Sequence, residues 1–150
     1  MYSKAKIWGF AIHPMLVVFP VAFYTSTLLL YIIYALDNNI FWFRVGYVAN
    51  VAAIITATLA AIPGLIDFLN IPPDSNAKRV GFFHMIFNVL ALLVYAIGFL
   101  FQKDNWDKPI NMGISLGLSA VGFILTCIAG YIGWSMVQKH HVAVDPINKK

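Results

Sequence analysis

Of 150 residues, 61% are hydrophobic and only 11% charged, with a mean hydropathy of +0.79. So little polar surface does not coat a water-soluble globule, and the composition excludes an ordinary soluble protein in favour of a membrane one. The net charge of +4 matches positive loops lying against anionic headgroups and carries no nucleic-acid signal.

Four apolar stretches follow one another: 14–36, 40–62 with an extension to 68, 80–101 and 110–137. Each is long enough to cross the ~30 Å of a bilayer's hydrocarbon as a helix, and in lipid the backbone must satisfy its own hydrogen bonds, so helices are expected. The fold class predicted is all-α, one membrane domain built as an up-down-up-down four-helix bundle with short connections. Pro14 suits a first helical turn, and Pro20 predicts a kink in helix 1. Asp37, Asn38 and Asn39 separate helices 1 and 2. Pro63-Gly64 breaks the end of helix 2, and 70–76, with Pro72 and Pro73, forms the next connection. Residues 103–109 form the third, where Trp106 is placed as an interfacial aromatic. The polar tail 142–150, with Pro146, is expected to fray. No low-complexity tract and no internal repeat is legible.

Lysines and arginines set the orientation. Lys4, Lys6, Lys78, Arg79, Lys139, Lys149 and Lys150 fall on the side holding both termini, against Arg44, Lys103 and Lys108 opposite, so the termini are expected in the cytoplasm. The first apolar run is too long for a cleaved signal and lacks a small-residue cleavage site, which predicts a retained helix. Cys127 is the single cysteine, so no intrachain disulfide forms.

The four histidines carry the functional signal. His13 immediately precedes helix 1, His84 lies a turn and a half into helix 3, and His140 and His141 close helix 4, all on the side of the termini. At about 1.5 Å per residue His84 is expected several Å deeper than the others, a spread that helix tilt closes. An ionisable side chain within a membrane helix is costly and generally faces inward to a partner, which singles out His84. The pair His140-His141 beside Lys139 reads equally as a basic flank on lipid phosphates, and His13 equally as a residue that merely precedes its helix. Asp67, just past Pro63-Gly64, reads as a helix-end carboxylate paired with Lys78 or Arg79, or else as a metal ligand. Asn88, four residues after His84 on the same face, is placed to hydrogen-bond the imidazole and fix its tautomer. Gly113 and Gly117 make a GxxxG pattern, and Ala53, Ala57 and Ala61 a small-residue stripe, both read as close-packing surfaces. Trp8, Tyr131 and Trp134 read as interface anchors or as walls for a macrocycle.

Neutral imidazoles ligate haem iron, zinc or copper. Haem b held by two histidines is the leading expectation, with His84 one axial ligand, His13 or His140 the other, and Lys78, Arg79 or Lys139 placed to meet propionates. Two such ligands leave iron no open position, which favours electron transfer over oxygen chemistry. No CxxCH, HExxH or cysteine-rich zinc pattern occurs, glutamate is absent, and no Ser-His-Asp set or phosphate loop is evident. Any enzymatic role is at most that of an oxidoreductase component.

The opening His13-Pro14-Met15-Leu16-Val17-Val18-Phe19-Pro20 resembles that of a bacterial family of small predicted four-helix membrane proteins without an assigned function. So do Gly64-Leu65-Ile66-Asp67, the run from Lys78-Arg79 through His84 to Asn88, and Gly130-Tyr131-Ile132-Gly133 through His140. The resemblance covers most of the chain and departs at His141, where that family commonly has glycine. Relatives joined to Rieske-type or cytochrome-type modules make it imply electron transfer and a bacterial cytoplasmic membrane. Two other readings stay open: a zinc or copper site on His84, His13, His140 and Asp67 for binding or transport, and an accessory subunit that docks through its GxxxG face. The partners implied are the lipid bilayer, a redox protein or quinone, and a second copy in a homodimer.

Overall fold

The computed structural model describes residues 3–109, 111–142 and 144. The N-terminal segment forms a small antiparallel hairpin, β1 (Lys6–Ile7) and β2 (Phe10–Ala11), and leads directly into α1 (Ile12–Leu16). After a break at Val17 come α2 (Val18–Asp37), α3 (Ile40–Leu69), α4 (Asn76–Gln102) and α5 (Met112–His140). Among the described residues, four spans are long and apolar enough to cross a membrane: Ile12–Asp37, Ile40–Leu69, Asn76–Gln102 and Met112–His140. The all-α membrane bundle is thus as expected. Pro146, Lys149 and Lys150 of the tail, and Ile110 at the start of the fourth apolar stretch, lie outside the described residues.

Local chemistry sets the boundaries. Asn38 closes α2 in the left-handed conformation (φ 55°), which asparagine tolerates, and the Asn39 side chain caps α3 by accepting from Phe41 N at 3.0 Å. Ser75 caps α4 by accepting from Lys78 N at 3.1 Å. The kink expected at Pro20 is a break at Val17 instead. Pro20 sits in the first turn of α2, where its missing N–H costs nothing. Pro63 does not end its helix either; α3 runs through it to Leu69. Opposite the termini, Arg44 on α3 pairs with Asp107, donates to the Trp106 carbonyl at 3.4 Å and lies 5.5 Å over the Trp106 indole. This fastens the connection between α4 and α5.

The helices pack as two antiparallel hairpins, α2 with α3 and α4 with α5, closed into a bundle by α2 against α5 and α3 against α4. The interior inverts the soluble pattern. Buried positions combine the aromatics Tyr24, Tyr31, Phe43 and Tyr95 with small or polar side chains, including Thr27, Asn50, Gln102, Ser115 and Ser119, while large aliphatic side chains on every span face outward. Without a hydrophobic drive between helices in lipid, close backbone approach and interhelical hydrogen bonds hold such a core.

The two hairpins are repeats of one another, although no internal repeat is legible in the sequence. His13, Tyr24 and Tyr31 meet Gly64, Ala53 and Gly46 in the first hairpin; His84, Tyr95 and Gln102 meet Gly133, Gly122 and Ser115 in the second. The first-helix positions are offset by 71 residues (84 from 13, 95 from 24, 102 from 31) and the second-helix positions by 69 (133 from 64, 122 from 53, 115 from 46). Equivalent side chains also meet across the centre: the Tyr24 and Tyr95 rings stack at 3.9 Å and 12°, and the His13 and His84 rings lie 6.2 Å apart. Residues meet their own counterparts in this way only beside a two-fold axis, here running along the bundle as in transporters built from parallel repeats.

Candidate functional site

His13 sits within α1 rather than ahead of it. Its ring lies against the backbone of α3 at Gly64, where an added Cβ would come within 2.8 Å of the imidazole Cε1 and Nδ1. Pro63 supplies no N–H to the turn before it and loosens the helix there, and the nearby Ala60 carbonyl accepts from His13 Nδ1 at 2.8 Å. A carbonyl can only accept, so the Nδ1–H is the donor and the His13 lone pair is on Nε2.

His84 repeats the arrangement on the second hairpin. Its Nδ1–H donates to the Ala129 carbonyl at 2.9 Å, and its ring lies against Gly133, whose added Cβ would be 2.9 Å from Cε1. In both hairpins, then, an Ala-x-x-x-Gly stretch on the second helix receives the imidazole of the first. The asymmetry is Asn88. Its amide Nδ2 lies 3.2 Å from His84 Nε2 and 2.8 Å from the His84 carbonyl, and its counterpart by the same offset is Val17, which cannot donate from its side chain. Asn88 thus touches the imidazole as expected, on the nitrogen that the Ala129 carbonyl leaves unprotonated.

The two rings are nearly perpendicular, at 87°, with their centroids 6.2 Å apart. Helical structure begins at Ile12, and the N-terminal segment is tied back to α3. Asp67 does the tying: its carboxylate accepts from Ser3 Oγ at 2.8 and 2.9 Å, Lys4 N at 2.8 Å and Ala5 N at 3.1 Å. The expected pairing of Asp67 with Lys78 or Arg79 is replaced by this clamp. Lys78 instead donates to the Phe68 carbonyl at 2.7 Å, and Arg79 is exposed in the first turn of α4. His140 ends α5 seven residues past Gly133, roughly 10 Å along the axis, and exposed His141 follows as its left-handed C-cap. Among the described residues no three histidine, cysteine, aspartate or glutamate side chains gather as a ligand set, so of His13, His84, His140 and Asp67 only the first two are brought together.

The donor chemistry suits a bis-histidine centre. Two metal–imidazole bonds of about 2 Å each, with the offset of each nitrogen from its ring centre, span roughly the distance that separates these rings. Carbonyl-bound Nδ1–H groups are the usual way to orient such ligands. The pair is not sealed: both imidazoles are half-buried, and Asn88, twelve residues into a membrane-crossing helix, is exposed. Bare amide surface at that depth is costly unless something covers it.

Sequence reasoning missed the receiving stretches Ala60–Gly64 and Ala129–Gly133 and the tyrosine stack. Their signal is spacing shared between two hairpins. Tyr131 and Trp134 stack on each other at 6.0 Å on the outer surface, as interface anchors do. Of the stripe Ala53, Ala57 and Ala61 on α3, Ala53 is buried and Ala57 packs against the tyrosine cluster, whereas Ala61 faces out. Gly117 meets nothing within 4 Å and Gly113 only Asn111 Oδ1 at 3.6 Å, so the GxxxG pattern is not an internal packing surface.

An all-α membrane bundle with a two-fold histidine pair defines the class. Over residues 9–146 the sequence matches the family described as Predicted membrane protein (DUF2231), and the chain belongs to that family. No curated protein and no solved structure matches it.

Proposed function

We propose that this protein is a b-type cytochrome-like electron carrier of the bacterial cytoplasmic membrane, holding haem b between His13 and His84 with both termini on the cytoplasmic side. One observation carries the reading: two imidazoles from different hairpins face each other across the bundle axis at 6.2 Å, each with Nδ1–H tied to a main-chain carbonyl. Both therefore carry their lone pair on Nε2, free on His13 and met by the Asn88 amide on His84, which would have to give way to a metal. Haem bound there would supply one-electron chemistry with no open iron position. The chain's own part is to hold the rings and to offer the cation of Arg79 to a propionate. A quinone or a redox protein would then be the exchange partner. The orientation rests on the excess of lysine and arginine on the side of the termini.

Protein expressed with ample haem should show a reduced-minus-oxidised haem spectrum. His13→Ala and His84→Ala should each abolish it, and His140→Ala should leave it intact. An unreactive, haem-free wild type would count decisively against the proposal.

A second reading rests on Asn88. Its amide already satisfies His84 Nε2, so the histidines could act as a purely structural lock between helices, as an accessory subunit would need. Asn88→Val separates the two. A ligand site keeps or gains haem when the competing amide is removed, whereas a structural lock loses stability and shows no cofactor either way.

A further inference from the structure

We infer that the N-terminal hairpin is a binding site for one anionic phospholipid, its acyl chain lying in an apolar recess and its phosphate meeting Lys4. The recess measures about 240 Å³ and is lined by Ile7, Trp8, Phe10, Ile12, Met15 and Leu16. It is smaller than the ~300–1,000 Å³ clefts that enclose whole small molecules, which suits a length of chain with its headgroup left outside. One wall is the start of the first membrane-crossing span and the other is the hairpin, which puts the recess at the end of that span.

Two further features point to lipid as the occupant. The hairpin turn is Trp8-Gly9 with φ of 50° and 86°, a two-residue turn with both central residues left-handed. Such turns select Asn-Gly, and a bulky residue there is a strained exception. The strain holds the Trp8 indole 95% exposed beside Ile7 and Phe10, themselves exposed, an arrangement unfavourable in water and favourable at a membrane interface. The charges are complementary as well. Lys4 is exposed three residues before Ile7, and the nearby carboxylate of Asp67 is engaged by Ser3 Oγ and by the Lys4 and Ala5 amides. That clamp fixes the hairpin against α3 without any contribution from lipid.

The test is native mass spectrometry of the detergent-purified full chain, offered phosphatidylglycerol or phosphatidylcholine with identical acyl chains. Wild type should retain one phosphatidylglycerol, preferring it by about fivefold, the factor expected of one lysine at an anionic surface, and Lys4→Gln should remove that preference. Trp8→Asn places the residue this turn favours at its strained position. It should shed both lipids with no fall in melting temperature, which separates lost binding from lost folding. A wild type indifferent to headgroup charge, or a Trp8→Asn protein that holds lipid as wild type does, overturns the inference.

Discussion

Tyr24 and Tyr95 are counterparts in the repeat and stack on one another, yet their hydroxyls differ. Tyr95 OH reaches the Ser119 carbonyl at 3.1 Å and the Tyr24 carbonyl at 3.3 Å. By the repeat, Tyr24 OH would bond the Tyr95 carbonyl, but the Asn50 amide occupies it at 3.3 Å, and Tyr24 OH is buried with no protein partner among the described residues. A buried donor without a partner loses its hydration for nothing in return. Tyr95→Phe should therefore cost about 0.5–1.5 kcal/mol, while Tyr24→Phe should be neutral or stabilising. Thermal unfolding in one detergent compares the two directly. A Tyr24→Phe loss equal to that of Tyr95→Phe would mean an ordered water completes the Tyr24 hydroxyl.

At the scale of helices, what packs and what merely looks able to pack are separated by face. An alanine Cβ at Gly122 would meet the Tyr95 ring at 2.5 Å, whereas at Gly117 it would meet nothing within 4 Å. Gly122→Ala should cost about 1–3 kcal/mol as overpacking, and Gly117→Ala should stay within about 0.5 kcal/mol, both read from denaturation of the detergent-solubilised protein. Equal effects would contradict the assignment of faces. The same distinction explains what the sequence disclosed. Spans were legible because twenty-odd apolar residues have few other uses, and His84 stood out because an imidazole inside lipid needs a reason. Gly113-x-x-x-Gly117 was legible as a motif but packs against no helix of its own bundle, since spacing does not say which way a stripe points. The alanines and glycines that receive the histidines carry no chemistry of their own and became meaningful only once the rings were seen against them. Asp67 was recognised as a helix-end carboxylate, but its partners are mostly backbone amides, which no side-chain pattern reveals.

For the whole molecule the repeat was hidden because it preserves volume and hydrogen-bonding reach more than residue identity. Tyr31 on Gly46 corresponds to Gln102 on Ser115, and Asn50 to Ser119; histidine, tyrosine, alanine and glycine recur unchanged only at 13/84, 24/95, 60/129 and 64/133. Each hairpin completes its own histidine dock, His13 on Ala60 and His84 on Ala129. If the hairpin is the unit of assembly, each inserts with its dock complete and pairs afterwards across the axis. The connection 70–75 contributes loop closure, a term that grows only slowly with length, together with the Ser75 cap on α4 and Ile71, which is buried against Ala77 and Met136 of the second hairpin. A chain cut between Pro72 and Pro73 should consequently reassemble when both halves are co-expressed, with a tag on one half recovering the other from detergent extract. Tyr24→Trp should break that recovery by crowding the axis stack while leaving the first hairpin inserted. If both halves reach the membrane yet never co-purify, the axis contacts are too weak to join them, and the two-fold pairing depends on the covalent connection instead.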